Sequence, residues 1–477
     1  MKTKLYPLLA LFAVLPFGQI YAQYAHGMST SYTWPKDELV LEKLDNWQDL
    51  KFGMLIHYGL YSELGIVESW SICSEEESWI PRDSTQNYDA YKRAYWQTID
   101  RFKPEKLNPE SWAHYGKQAG MKYVIFTTKH HDGFNMFDTK YSDFSITKGA
   151  FKGHPRSNVA KEVFNAFRNE GYMIGAYFSK PDWHSQYYWW DRYATPTRNV
   201  NYNIDQNPWR WEQFKQFTYN QIEELMNGDY GSMDILWLDG GWVAPARPGA
   251  KERLGKNYRG SQDIDMPRIA AMARSYNPGM LVVDRTIAGE YENYQTPEQG
   301  IPSGQLANPW ESCISLGGDW GWTPRQQYKT STDIIHKLVE IVAKGGSFVL
   351  GIGPKPDGTL PVEVEERLEA IGRWTNKNGK AIYGTRITPE YNDGKTWFTR
   401  SKDGKTRYAM VCVNDNEPLP KTITWKGNEP KKGSRMRHIA TGKTVKWTKT
   451  ANGIQVTVPG ELKGNQSALA FEFTPAN

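Results

Sequence analysis

A chain of 477 residues is too long for one ordinary domain and suits a large catalytic unit with a smaller accessory one. Its 58 basic and 53 acidic residues nearly cancel. The excess gathers around Lys431-Lys432, Arg435 and Arg437 with no nucleic-acid-binding motif beside it, so no nucleic-acid partner is expected.

The first residues have the composition of an export signal. Lys2 and Lys4 precede an apolar run from Leu8 to Phe17, and Ile20-Tyr21-Ala22 offers processing before Gln23. Residues 1–22 are expected to be removed, leaving an exported protein, periplasmic in a Gram-negative host and secreted otherwise. The run is too short to span a bilayer, and no later segment reaches about 18 apolar residues. Cys73, Cys313 and Cys412 are too few and too scattered for a disulfide framework, a zinc site or a redox pair.

After a lead-in helix, a repeating unit begins near Lys51: a buried-looking strand, a polar or glycine-bearing end, then a helical pattern. Strands are predicted at Phe52–Tyr58, Tyr123–Lys129, Met173–Ser179, Ile235–Asp239, Met280–Arg285, Trp310–Ser315 and Phe348–Gly353. Helices are predicted at Glu110–Ala119, Asn158–Asn169, Trp209–Met226, Met266–Tyr276, Thr332–Lys344 and Val362–Lys377. Non-alternating strands separated by helices imply an α/β fold with a parallel sheet, best fitted by a (β/α)8-like barrel, irregular at an uncertain eighth strand. From about Thr396, short alternating runs separated by Asp-Gly, Asn-Gly and Gly-Asn turns predict a C-terminal antiparallel β-sandwich. The expected division is therefore 1–22 leader, 23–385 barrel and 386–477 accessory domain.

The strand ends carry the chemistry. In Met233-Asp-Ile-Leu-Trp-Leu-Asp-Gly-Gly-Trp242 a buried run stops in an acid, two glycines and an indole. A carboxylate there is costly to desolvate and needs partners or a task. His57 ends the first strand, Lys129-His130-His131-Asp132 the second, Tyr177-Phe178-Ser179 the third, Asp284-Arg285 the fifth, and Trp310-Glu311 lies on the sixth. Polar groups converging at one end of a barrel suit a small polar substrate, and 20 Trp with 28 Tyr suit a sugar, whose rings stack on aromatic faces. A metal is not expected. Adjacent strand residues point to opposite faces, so His130 and His131 chelate together only if the strand has ended, and no acid stands at zincin spacing.

Taken together, FGMLIHYG, KHHDGF, AYFS, ILWLDGGW, VVDR, WESC and AIYGT resemble family 29 of the glycoside hydrolases, the retaining α-L-fucosidases, in the family's order from about Lys51 to Thr385. The resemblance implies an exo-acting enzyme without cofactor that releases terminal L-fucose from glycans by double displacement. It implies Asp239 as nucleophile. It implies fucose contacts at His57, His130, His131, Tyr177, Trp237 and Arg285, with Trp79, Trp320 and Glu68 as further pocket residues. Retention requires a second carboxyl about 5–5.5 Å away. Glu290, Glu292, Glu298 and Glu311 are the candidates; Glu298, in Thr-Pro-Glu-Gln, matches one branch of the family and is chosen over Glu290, while Glu311 reads as structural.

Three departures from the family pattern concern the aglycone side. Phe178 stands where a second tyrosine is common, Arg156-Ser157-Asn158 lacks a usual acid, and Gly240-Gly241-Trp242 differs from common versions. Two rival readings are a related exo-glycosidase for α-linked galactose-like sugars and a catalytically silent carbohydrate-binding protein on the same scaffold.

Overall fold

The computed structural model describes residues 28–73, 87–462 and 466–476. At its centre is a curled sheet of seven strands: β1 (Phe52–Ile56), β2 (Tyr123–Lys129), β3 (Met173–Ser179), β4 (Ile235–Asp239), β5 (Leu281–Asp284), β6 (Glu311–Ser315) and β7 (Ser347–Ile352). They hydrogen-bond in the order β5-β4-β3-β2-β1-β7-β6, and every neighbouring pair is parallel. Helices Pro109–Gln118, Val159–Asn169, Pro208–Met226, Met266–Tyr276, Ser331–Ala343 and Val362–Asn378 fill the crossovers and follow β7. Several begin where a side chain can accept a free N–H: Asn108 from Ser111, Asn158 from Lys161, Thr330 from Asp333.

Two apolar clusters show which way each strand residue points. Leu55, Tyr123, Ile125, Tyr177, Ile235, Trp237, Leu281, Val283, Cys313 and Val349 form one cluster on the concave side. Their neighbours Met54, Ile56, Val124, Phe126, Ala176, Phe178, Leu236 and Leu238 belong to the outer cluster shared with the helices. The lead-in helix Glu38–Leu50 adds Val40, Leu44 and Trp47 to the inner cluster, where Trp47 stacks on Tyr294 with ring centroids 4.0 Å apart. That helix plugs the end of the sheet opposite the strand C-termini.

No crossover helix separates β5 from β6. The chain from Tyr291 to Gln299 lies along both edges instead. Asp284 donates its N–H to Tyr291 O (2.8 Å) and Asn293 to Val282 O (3.0 Å) on the β5 side. On the β6 side Glu311 donates to Gln295 O (2.8 Å) and Cys313 to Pro297 O (3.1 Å). This is where the sequence leaves an eighth strand uncertain. Pro297 lacks an N–H and Gln299 has a φ of 52°, so a regular strand cannot form. The lead-in covers the seam: Tyr32 Oη donates to Asn293 O (2.7 Å) and Gln295 Nε2 to Ser29 O (2.9 Å).

In the C-terminal part, strands Thr396–Ser401, Arg407–Cys412, Met436–His438 and Ala468–Phe473 belong to one antiparallel sheet, and Thr422–Trp425, Trp447–Thr450 and Gly453–Thr457 to another. The strand Thr385–Arg386 pairs with Arg400 and Ser401, so the expected boundary after residue 385 falls inside the first of these sheets. Trp425 of the smaller sheet stacks on Phe473 of the larger (6.2 Å), within a cluster fed by both. The other face of the larger sheet meets the helices, where Trp374 Nε1 donates to Ala468 O (2.7 Å). No helix among the described residues is long and apolar enough to cross a membrane.

Candidate active site

Alternation along β4 turns Ile235, Trp237 and Asp239 toward the concave side, so the carboxylate stands at the rim with an indole beneath it. The chain must then leave sharply. Gly240 has a φ of 89°, and a Cβ there would lie 2.3 Å from Pro181 Cδ, so glycine alone fits directly after the acid.

Asp239 is held from two sides. Tyr177 Oη, from β3, donates to Oδ2 (2.7 Å), and Arg285 Nη1, just past β5, donates to Oδ1 (2.7 Å). The second guanidinium nitrogen, Nη2, donates to Glu298 Oε2 (2.8 Å), and Nε donates to Thr296 Oγ1 (3.1 Å). Arg285 also lies 4.4 Å over the Trp237 ring. Burial by itself would lower the arginine's pKa, but Asp239, Cys313 and Glu298 around it raise it well above its ordinary value. Glu298 is held at its other oxygen by Trp320 Nε1 (3.1 Å). One guanidinium therefore sets the spacing of two carboxyls.

The histidines complete the rim. β2 ends at Lys129 after a register shift at Thr127/Lys129. Both His130 and His131 consequently line the same cavity, their rings 4.2 Å apart. Burial, then neighbouring His130, holds the His57 pKa well below the usual range, and burial, then His131, does the same for His130. Both are neutral rings that offer one donor and one acceptor each. His130 Nδ1 is hydrogen-bonded to Ser69 Oγ, and His131 Nε2 stands 3.8 Å from Asp239 Oδ2. Trp320 stacks on His57 (5.3 Å) and lies over β7, where a Cβ at Gly351 would meet its ring at 2.5 Å.

The cavity, of about 350 Å³ with its open mouth included, is lined by His57, Glu68, His130, His131, Tyr177, Trp237, Asp239, Arg285, Glu298 and Trp320, with Leu55 and Trp70. Ten of the eleven expected site residues thus meet in one place. The eleventh, Trp79, lies outside the described residues, as do residues 1–22. Glu68 accepts from Gly321 N (2.7 Å), and burial, with Asp319 adding to it, pushes its pKa up to about 8. Glu311 sits beneath the pocket, accepting from Tyr123 Oη (2.7 Å) and Trp237 Nε1 (3.2 Å), and burial pushes it up to about 7. Glu290 is exposed outside the lining, and Glu292 points to the lead-in, where it bonds Ser29.

Trp70 escaped the sequence reading. The tripeptide Glu-Ser-Trp occurs twice, at 68–70 and 77–79, and only the second tryptophan was singled out. Trp70 packs edge-on against His131 (5.1 Å) and Trp183 (5.4 Å). The repeat was the available signal.

His130, His131 and Asp239 present ligand atoms within 4.8 Å of one another. Both Asp239 oxygens are already engaged, one by a guanidinium that would repel a cation placed beside it. The trio fits a carboxylate balanced by arginine better than a metal centre.

Two carboxyls facing one aromatic-walled cavity at the C-terminal edge of a parallel sheet form the equipment for breaking a glycosidic bond, and the class so defined is a glycoside hydrolase. Comparison with protein families matches residues 19–380 to the family described as Alpha-L-fucosidase. The chain belongs to that family. It is 28% identical to the plasma α-L-fucosidase of Rattus norvegicus, over 98% of each chain. Among solved structures it resembles α-L-fucosidase isoenzyme 1 of Paenibacillus thiaminolyticus (25% identity, TM-score 0.72, covering 92% of this chain and 100% of that one). It also resembles the Thermotoga maritima α-fucosidase in complex with a mechanism-based inhibitor (27% identity, TM-score 0.69, 93% and 100%).

Proposed function

We propose that the cavity takes a terminal α-linked L-fucose and that Asp239 and Glu298 cleave its glycosidic bond with retention. The observation that carries this reading is the Arg285 guanidinium, which bonds both carboxyls where they face one cavity. Two acceptors bonded to one guanidinium can stand about 5–5.5 Å apart, the spacing a retaining pair uses, and cannot reach the upper end of the inverting range.

In the first step an Asp239 oxygen attacks the anomeric carbon while Glu298 gives its proton to the departing glycosidic oxygen. A β-linked fucosyl-enzyme results. Glu298, now ionised, then takes a proton from water, which attacks the same carbon, expels Asp239 and restores the α configuration. Arg285 and Tyr177 stabilise the Asp239 charge before attack and after release. Neutral His57 and His130, with His131, bind sugar hydroxyls, and Trp79 is proposed as a further wall. Trp320 gives an apolar wall for the fucose methyl, where a galactose-like sugar would bury a hydroxyl without a partner. Trp237 closes the floor, which supports exo action.

We also read the curled sheet with its seam segment as an irregular (β/α)8 barrel. The C-terminal sheets sharing the Trp425 cluster are read as an accessory sandwich. The leader composition supports export to the periplasm or medium.

Wild-type protein should hydrolyse 4-nitrophenyl α-L-fucoside and leave the α-D-galactoside untouched. Asp239→Asn should lower kcat at least about a thousandfold with the fold intact, because no neighbouring group can replace the nucleophile. Retention of a tenth of wild-type turnover would remove Asp239 from that role.

A further inference from the structure

Beside the catalytic cavity the surface opens into a second, larger cleft of about 1170 Å³, mouth included. Its walls are the chain that follows Asp239, from Gly241 to Gly260, together with Asn199, Gln262 and Ile287. Gly241 lies two residues after the proposed nucleophile and Ile287 two residues after Arg285, so the cleft begins where the cavity ends. Trp242 is the shared partition. On one side it lines the cleft; on the other its ring lies 5.1 Å from His131 and 5.8 Å from Trp70, which line the cavity. Bonds from its Nε1 to Tyr188 Oη (3.1 Å) and from Gln262 Nε2 to its carbonyl (3.2 Å) hold it in place.

The charge in this cleft is unbalanced. Arg247, Arg253 and Arg259 line it, no Asp or Glu does, and none of the three forms an ion pair among the described residues. Some arginines elsewhere are balanced by an acid, as Arg156 is by Glu110 and Arg386 by Asp45. Three guanidinium groups around one opening repel one another, and an anion between them relieves that repulsion. Guanidinium is also the group best shaped to bind a carboxylate or sulfate through two parallel hydrogen bonds.

We infer that this cleft receives the aglycone, the sugar from which fucose is released, and favours one carrying a carboxylate or sulfate group. The inference rests on the fucosidase reading of the neighbouring cavity. The cleft adjoins the cavity across Trp242, so a leaving sugar that turns over this indole enters the arginine cleft. A neutral aglycone forfeits the added attraction but meets no penalty, since the guanidinium groups stay hydrated.

The test compares kcat/KM of the full chain on four substrates. These are 4-nitrophenyl α-L-fucoside, a neutral fucosylated oligosaccharide, and the same oligosaccharide bearing either one carboxylate or one sulfate on the sugar next to fucose. At low salt at least one acidic substrate should exceed the neutral one by about tenfold or more, and the advantage should shrink at high salt. The triple variant Arg247→Gln, Arg253→Gln, Arg259→Gln should lose that advantage and still cleave the aryl fucoside at the wild-type rate. Should the triple variant fold poorly, seen as lost aryl fucoside activity, the single Arg253→Gln variant should show a partial loss of the acidic advantage. Equal rates on neutral and both acidic oligosaccharides, or an advantage that survives the substitutions, would overturn the inference. Failure of wild type on the aryl fucoside would instead overturn the fucosidase reading.

Discussion

Arg285 makes the two carboxyls of the site interdependent, and the sharpest test of their separate roles is at Glu298. Glu298→Ala should cripple cleavage of fucosides with poor leaving groups, whose oxygen must be protonated as the bond breaks. On an activated aryl fucoside the fucosyl-enzyme should form and then persist, because the base for the second step is gone. Azide needs no base, so it should restore turnover and give the α-fucosyl azide. A β-azide would mean that the missing group was the nucleophile. If Glu298→Ala behaves as wild type and Glu290→Ala shows the rescue, the proton donor is Glu290. Treatment with EDTA should leave activity unchanged, since Arg285 already balances Asp239; loss that zinc restores would make His130, His131 and Asp239 a metal site. Most of these residues were legible because each follows a recognisable strand. Glu298 was harder, as three acids compete within one irregular stretch and a fourth follows on β6. Only the structure separates the exposed Glu290 and the outward Glu292 from the acid that meets Arg285.

At the scale of elements, the end of β4 is the critical join. Gly240→Ala should lower kcat by about a hundredfold, because relieving contact with Pro181 must move the carboxylate by a sizeable part of an ångström. Its Tm should fall as well, from a left-handed backbone that alanine resists. Wild-type kcat and Tm together would show that the turn does not position Asp239. The ends of β2, β3 and β4 were predicted to the residue: β3 and β4 are apolar runs closed by Ser179 and Asp239, and β2 continues through two β-branched threonines to Lys129. β1 stops at Ile56, two residues earlier than expected, because His57 and Tyr58 are aromatic and continue the buried run without continuing the ladder. In the C-terminal part Met436–His438 and Trp447–Thr450 were not anticipated. They are short and carry lysine, arginine and histidine, so alternation is too weak to read. The Tyr291–Gln299 seam was illegible for another reason: its order comes from bonds to two distant edges, not from a local repeat.

For the molecule as a whole, buried acids tie stability to pH. A glutamate in an unfolded chain titrates near 4.3, whereas burial pushes Glu311 up to about 7. Between these values the native state keeps a proton that the unfolded chain has released, so this group's contribution is complete below the lower value and is lost as pH rises through the upper one. Glu311→Gln keeps an acceptor for Trp237 and turns an amide N–H toward the Tyr123 oxygen, without the ionisation. Its stability relative to wild type should therefore climb between pH 4 and pH 8, by about 1.4 kcal/mol per pH unit at most; denaturant titrations across that window giving a constant difference would show that Glu311 titrates as an exposed acid. The broad plan was readable from buried strands and separating helices, but the role of the lead-in was not. Tyr32 bonds to Asn293 and Ser29 to Gln295, 261 and 266 positions along the chain. These partners of the lead-in thus lie across more than half of the protein's length. Contacts of such separation close late and slowly. Sealing of the β5–β6 seam, and with it the final setting of Glu298, therefore waits on contacts that must close across this separation.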